Sequence, residues 1–203
     1  MPEYKLIYFN AKGTAELIRW IFTHGGITFT DERIEMEDWP ERKSEMPHGK
    51  VPVLMIDEEP LVQSLAIARF AAKEAGLVPE DNLEAAMCDA LVDTVNEMMK
   101  ELYDNVRKYD DDDEKQKYFE EIFFPNHLEP FLKNLNERLS EKEWFVTDQL
   151  TWADLMLART MMQITEKHPD CLENFSDVAA HMERVCEVPS IKEWIENSPE
   201  TAF

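Results

Sequence analysis

Glycine is scarce and one-sided in this chain of 203 residues. The five glycines stand at 13, 25, 26, 49 and 76, and none follows. A long stretch without so poor a helix former fits an all-helical domain in the second part of the chain. Cysteine is scarce too. Cys88, Cys171 and Cys186 are the three present, an odd number without paired short spacings. That excludes a disulfide framework and points to a reducing compartment. Long apolar runs are missing, so no membrane span of roughly 18 residues is expected. Basic charge is in deficit: 21 Lys and Arg against 43 Asp and Glu give a formal net charge of −22. So acidic a surface repels phosphate backbones and anionic lipid, which argues against nucleic acid and membrane as partners. The opening Met1-Pro2-Glu3-Tyr4-Lys5 has neither the basic region nor the apolar stretch of a signal peptide, so a cytoplasmic location is expected. There is no Gly-x-Gly-x-x-Gly, Walker loop or His-Glu-x-x-His, and the five histidines show no metal-ligand spacing.

What is present divides at one place. The 44% apolar content, with 10% aromatics, supports a packed core. Residues 1–81 carry 9 basic and 15 acidic side chains, whereas residues 82–203 carry 12 and 28. The segment Leu77-Val78-Pro79-Glu80-Asp81-Asn82 reads as a linker between domains at 1–79 and 83–203. In the first domain, residues 4–9 form a short aromatic-rich strand. Residues 15–24 place Leu17, Ile18, Ile21 and Phe22 on one helical face, and Gly25-Gly26 stops that helix. Residues 27–34 and 51–56 read as strands, the latter opening at a proline, and Leu61-Val62 as another. Ser64 then serves as N-cap of a helix over 65–75, closed by Gly76. The order β-α-β, an irregular stretch, then β-β-α is an α/β domain of thioredoxin type.

The second domain reads as helical throughout. Leu91, Val95, Met98, Met99 and Leu102 recur at helix spacing, and residues 125–139, 151–167, 175–188 and 190–197 form further helices. Thr151-Trp152-Ala153-Asp154 is a capping box with Asp for Glu, with Leu150 and Leu155 as its staple. The acidic run at 110–114 reads as a solvated connection between helices, without the spacing of a calcium loop. The methionines at 98, 99, 156, 161 and 162 fit a core, and some fit an adaptable pocket wall.

The first domain contains no cysteine, so any thiol chemistry there must use a thiol that arrives with a ligand. Five motifs follow one another in it and beyond: Tyr8-Phe9-Asn10, Glu37-Asp38-Trp39-Pro40, Gly49-Lys50-Val51-Pro52-Val53-Leu54, Gln63-Ser64-Leu65-Ala66-Ile67-Ala68-Arg69 and Leu150-Thr151-Trp152-Ala153-Asp154. Each is weak alone; in register they resemble a cytosolic glutathione transferase of the sigma class, over almost the whole chain. The resemblance implies a dimer that conjugates glutathione to small hydrophobic electrophiles in detoxification, with glutathione as co-substrate and no metal.

In that resemblance Tyr8 donates a hydrogen bond to the glutathione sulfur. A thiol of pKa about 8.5 is a few per cent thiolate at neutral pH, and a hydrogen bond that favours the anion lowers that pKa. Val51, ahead of a cis Pro52, pairs with the cysteinyl backbone of the ligand like an added strand. Gln63 and Ser64 offer a helix start to the γ-glutamyl carboxylate. Trp39, Lys43 and Lys50 hold the glycyl end, and Gly49 belongs to the same glutathione-binding set. Glu97 reaches the ligand amino group from a partner chain. Some prostaglandin D synthases of the class hold a divalent ion near there, but Asn96 replaces one of the acids, so no metal is expected. Phe9, Thr14 and Met99 would line the electrophile pocket. Three positions depart from the class. Thr14 stands where an Arg is common, His48 where an aromatic precedes Gly-Lys, and Tyr103-Asp104 where an aromatic lines the pocket. The first and third weaken a prostaglandin isomerase reading. A further alternative is a catalytically weak protein like the lens S-crystallins, which share these motifs.

Overall fold

The computed structural model describes residues 2–199 and 201. The chain forms two units: residues up to Val78 together with the segment from Val188 onward, and Pro79–Glu187. Among the described residues no helix is long and apolar enough to cross a membrane.

The first unit runs β1 (Tyr4–Phe9), α1 (Glu16–His24), β2 (Thr30–Ile34), α2 (Trp39–Arg42), β3 (Val53–Ile56), β4 (Glu59–Val62) and α3 (Ser64–Glu74). It is the expected α/β arrangement. The sheet order is β2-β1-β3-β4, with β1 parallel to β2 and antiparallel to β3. Side chains alternate along β1. Tyr4 and Leu6 turn towards the helices, and the Tyr4 ring stacks on Phe22 at 5.3 Å. Ile7 turns the other way into a cluster with Ile34, Met46 and Val53.

Four local expectations change. α1 is buried on every side from Glu16 to Phe22, not on one face, because α3 packs on one flank and α9 (Pro189–Asn197) on another. By its contacts α9 thus groups with the first unit. The expected strand at 27–34 starts at Thr30. Ile27 instead donates its N–H to Phe22 O at 2.9 Å and closes α1, while Phe29 packs on Phe22 and Trp194. β3 starts at Val53, since Pro52 has no N–H to give a ladder. Finally, Ser64 is the first residue of α3 rather than its cap; the cap is Gln63, and no side chain caps this helix.

The second unit runs α4 (Asn82–Val106), α5 (Asp112–Tyr118), α6 (Glu129–Leu139), α7 (Trp152–Thr165) and α8 (Ser176–Cys186). Among the described residues it contains no strand. Asp81 caps α4 by accepting the N–H groups of Leu83 and Glu84 at 2.9 and 3.0 Å. The acidic run, expected as a connection, opens a helix: Asp111 accepts from Asp113 and Glu114, and three acids fill the first turn of α5. Carboxylates there meet the positive helix end. Residues Phe119–Leu128 then wind as a π-helix around Pro125 and continue into α6. The helical path thus passes through residue 125 instead of starting there. A proline inside a helix cannot make its i−4 bond, and the wider winding accommodates it. At the head of α7 the expected capping box forms, with Asp154 accepting from the Thr151 N–H and hydroxyl at 2.8 and 2.7 Å.

Candidate active site

Strand register brings separated parts of the sequence to one end of the sheet. Ile7 pairs with Val53, and Val53 with Val62. The next residue outward on each strand is therefore Tyr8, Pro52 and Gln63. The Val51–Pro52 bond is cis, as expected from the resemblance. Gln63 has φ 74°, a left-handed conformation that costs a residue with a Cβ of order 1–2 kcal/mol. α3 follows at once with its first N–H groups uncapped by any side chain, an arrangement that suits an anion.

Tyr8 is half-buried, and the chain folds back over its hydroxyl. The Thr14 N–H donates to Tyr8 Oη at 3.3 Å, and the Thr14 hydroxyl lies 3.4 Å away. Gly13, at φ 42°, sits so close that an added Cβ would lie 2.5 Å from Tyr8 Oη. Only glycine fits there without displacing the tyrosine. A hydroxyl that accepts a hydrogen bond is polarised into a better donor. The Tyr8 proton thus stays available to a further acceptor, such as a ligand sulfur.

Phe9 lies on the other face of β1, where it meets Trp39 edge-on at 5.1 Å between ring centroids. It packs with the cluster around Ile7 and not beside the Tyr8 hydroxyl. Trp39 is half-buried at the start of α2. Lys43 and Lys50 are exposed, and neither forms an ion pair among the described residues. Gly49 places its α-carbon against the Lys43 stem, with an added Cβ 3.4 Å from Lys43 Cε.

Glu97 is exposed on α4 of the second unit. Met99 is buried on the same helix and lines a cavity of about 350 Å³ with Leu102, Tyr103, Phe119 and Ile164. That volume is in the range of small-molecule sites. Gln163 Nε2 donates to Tyr103 Oη there at 2.6 Å. The cysteines offer no rival nucleophile: burial pushes the Cys88 and Cys171 thiols up to about 11.

Sequence reasoning missed Gly13, Arg19 and the left-handed Gln63. Arg19 had a legible signal, a permanent charge between Ile18 and Trp20 in an apolar helix, and it is fully buried. The conformation at Gln63 had none.

This geometry, a half-buried tyrosine beside a cis-proline and an uncapped helix start on a βαβ-ββα sheet, agrees with the family comparison. The glutathione S-transferase N-terminal domain matches residues 4–73, and the glutathione S-transferase C-terminal domain matches residues 92–198. The chain belongs to the glutathione S-transferase family, whose members are enzymes that use glutathione as co-substrate. Among individual proteins, it is 39% identical over 203 residues to hematopoietic prostaglandin D synthase of Gallus gallus, covering all of both chains. It is 35% identical over 208 residues to glutathione S-transferase 1 of Ascaris suum, again over all of both. Among solved structures, monomeric Na-GST-3 of the hookworm Necator americanus superposes with TM-score 0.91 at 37% identity, over 99% of this chain and 100% of that one. Rat hPGDS complexed with a quinoline gives 0.90 at 36%, over all of both chains.

Proposed function

We propose that this protein is a sigma-class, cytoplasmic glutathione transferase that conjugates the glutathione thiolate to small hydrophobic electrophiles in detoxification. Tyr8 is the thiol-activating group. The observation that carries this reading is the Tyr8 hydroxyl, held by the Thr14 N–H at the sheet end that also bears cis Pro52 and Gln63. Trp39, Lys43, Gly49, Lys50, Val51, Pro52, Gln63 and Ser64 bind glutathione in the first domain. Thr14, beside the Tyr8 hydroxyl, faces the electrophile, and Met99 lines the apolar cavity of the helical domain. Retention on a glutathione-affinity column together with turnover of chlorodinitrobenzene tests the reading. Retention without turnover would favour the S-crystallin-like alternative.

A second reading, glutathione-dependent prostaglandin isomerisation, is favoured by the 39% identity to the Gallus gallus synthase. Thr14 and the Tyr103-Asp104 pair count against it, Asp104 being tied to Lys100 at 2.6 Å. Product analysis with a prostaglandin endoperoxide separates the two.

Thr14 carries an expectation of its own. A Thr brings no charge where relatives of the sigma class place a cation, so the bound thiol should titrate higher here. Conjugation should climb as pH rises above 7, and Thr14→Arg should move that pH–rate profile downward. An unchanged profile would mean that position 14 does not sense the sulfur; a profile moved upward by Lys12→Ala would give the role to that lysine.

The working unit is a homodimer, in which Glu97 of one copy reaches the glutathione of the other. Support comes from α4, where Leu83 and Met87 are 64% and 44% exposed. Met87 also lines a groove of about 330 Å³ with Leu91, Phe131 and Leu135. An apolar surface of this kind marks an interface. Sedimentation at micromolar concentration should show a dimer, and Leu83→Glu with Met87→Glu should shift it to monomer. A parent that sediments as a monomer, the state stated for Na-GST-3, would remove both the dimer and the role of Glu97.

A further inference from the structure

We propose that Arg19 is the positioning residue for the Tyr8 hydroxyl, and that Trp194 of the C-terminal helix steadies it through Glu16. The inference rests on the reading of Tyr8 as the thiol-activating group.

Arg19 has no exposed surface, so it cannot touch a ligand. A buried guanidinium must instead be served by the protein around it. Its Nε donates to Asp31 Oδ1 at 3.0 Å. Its Nη1 donates to Glu16 Oε2 at 3.1 Å, but its shortest bond, 2.7 Å, goes to the backbone carbonyl of Ala11. The Lys12 carbonyl lies 3.4 Å from the same nitrogen. Arg19 therefore grips two consecutive carbonyls immediately before Gly13 and Thr14, the residues that close over Tyr8 Oη. The other side of the tyrosine is tied to the same centre. Asp31 Oδ2 accepts from Arg33 Nε at 2.8 Å, and Arg33 Nη1 lies 3.3 Å from Asn10 Oδ1. Asn10, Ala11 and Lys12 are thus fixed through one Arg19–Asp31 pair, in which Arg19 is buried and Asp31 partly so.

Direct action of the charge on the ring is the weaker route. The guanidinium carbon is 6.0 Å from the Tyr8 ring centroid, at the limit of a cation–π contact. The loop carries the effect. Glu16 extends it to the end of the chain: its Oε1 accepts from Trp20 Nε1 at 3.2 Å and from Trp194 Nε1 at 2.7 Å. Both carboxylate oxygens of Glu16 are used, one to hold Arg19 and one to hold α9 against α1.

The test measures kcat and the glutathione KM for Arg19→Lys and Trp194→Phe, each in the parent and in the Y8F background. Arg19→Lys keeps the charge but loses the planar fork. It should lower kcat roughly 10–100-fold with KM within about 3-fold, because a misplacement near 1 Å at a reacting group costs on that scale. In the Y8F background it should cost less than about 3-fold more, since residues that act as one unit are not additive. Trp194→Phe should lower kcat about 2–5-fold, and again only where the Tyr8 hydroxyl is present. Equal losses in both backgrounds would reduce Arg19 to a stabiliser of the unit and overturn the proposal. An Arg19→Lys enzyme as fast as the parent, with Tyr8→Phe slow, would remove Arg19 and leave Tyr8 in its role. A fast Tyr8→Phe enzyme would remove the reading on which the proposal rests. Should Arg19→Lys not fold, Trp194→Phe carries the same comparison from a half-buried site.

Discussion

Tyr8→Phe is expected to cut conjugation of chlorodinitrobenzene roughly 10–1000-fold, the scale of losing one hydrogen bond to a developing anion, while glutathione affinity changes by no more than a few-fold. The ring is retained, so its tilted contact with Phe9 at 5.5 Å survives. What disappears is one hydroxyl. It is the donor that would favour thiolate over thiol, and each pKa unit of that preference is worth about 1.4 kcal/mol. Glutathione binding draws on other parts of the site: the cis-proline edge, the start of α3, and Lys43 and Lys50. An interaction made with the sulfur anion should therefore appear in kcat and leave the binding constant nearly alone. The Thr14 N–H loses its acceptor, but Thr14 is exposed and water can replace it, so melting temperature should move little. Steady-state kinetics and a calorimetric titration with glutathione check both halves. Equal turnover in mutant and parent would hand the role to another donor, such as the Thr14 N–H or hydroxyl, 3.3 and 3.4 Å from Tyr8 Oη.

Much of the fold was legible because its signals were local. Alternation and aromatic content marked β1, the Gly25-Gly26 pair marked the end of α1, and the glycine-free, acidic second part marked the helical unit. The misses have tertiary causes. Ile27 and Phe29 look like strand residues, yet they cover the end of α1 because Phe22 and Trp194 offer them a surface. Trp194 is distant in sequence, and no local pattern announces it. Composition alone reads the run at 110–114 as a solvated connection, although an aspartate followed by acids is also a helix start. At the site, residue types pointed to Tyr8, Pro52 and Ser64 through resemblance. Their meeting at one sheet end depends on strand register, which the sequence did not supply. The supports of Tyr8 were least legible. Gly13 matters through the space it leaves, and Arg19 through carbonyls eight and seven residues earlier. Neither leaves a side-chain pattern to read.

Asp154→Ala should be the most destabilising single change in the second unit, by about 3–5 kcal/mol, the cost of breaking a buried charged network from one side. Asp154 has no exposed surface and takes four hydrogen bonds. Oδ2 accepts the Thr151 N–H and hydroxyl at 2.8 and 2.7 Å, and Oδ1 accepts the Phe145 N–H and His181 Nε2, both at 2.9 Å. One carboxylate thereby joins the start of α7, the segment before it and α8. Alanine leaves those donors facing each other without an acceptor, and each buried orphan costs about 1–3 kcal/mol before relaxation. Water entering the space left by the carboxylate recovers part of that, so the full sum is not expected. His181 suffers most, because its Nδ1 is already buried without a partner. For a chain of this size the loss corresponds to a melting temperature lower by roughly 6–20 °C. Asp112→Ala removes the same charge from the surface, where the acid pairs with Lys115, and should leave the melting temperature nearly unchanged. Thermal unfolding followed by tryptophan fluorescence, with Trp144 and Trp152 as reporters in this unit, compares the two variants. Asp154→Asn keeps the size and one acceptor oxygen but turns an amino group towards existing donors, so it should fall between them. Equal shifts for Asp154→Ala and Asp112→Ala would mean that the buried network contributes no more than a surface pair.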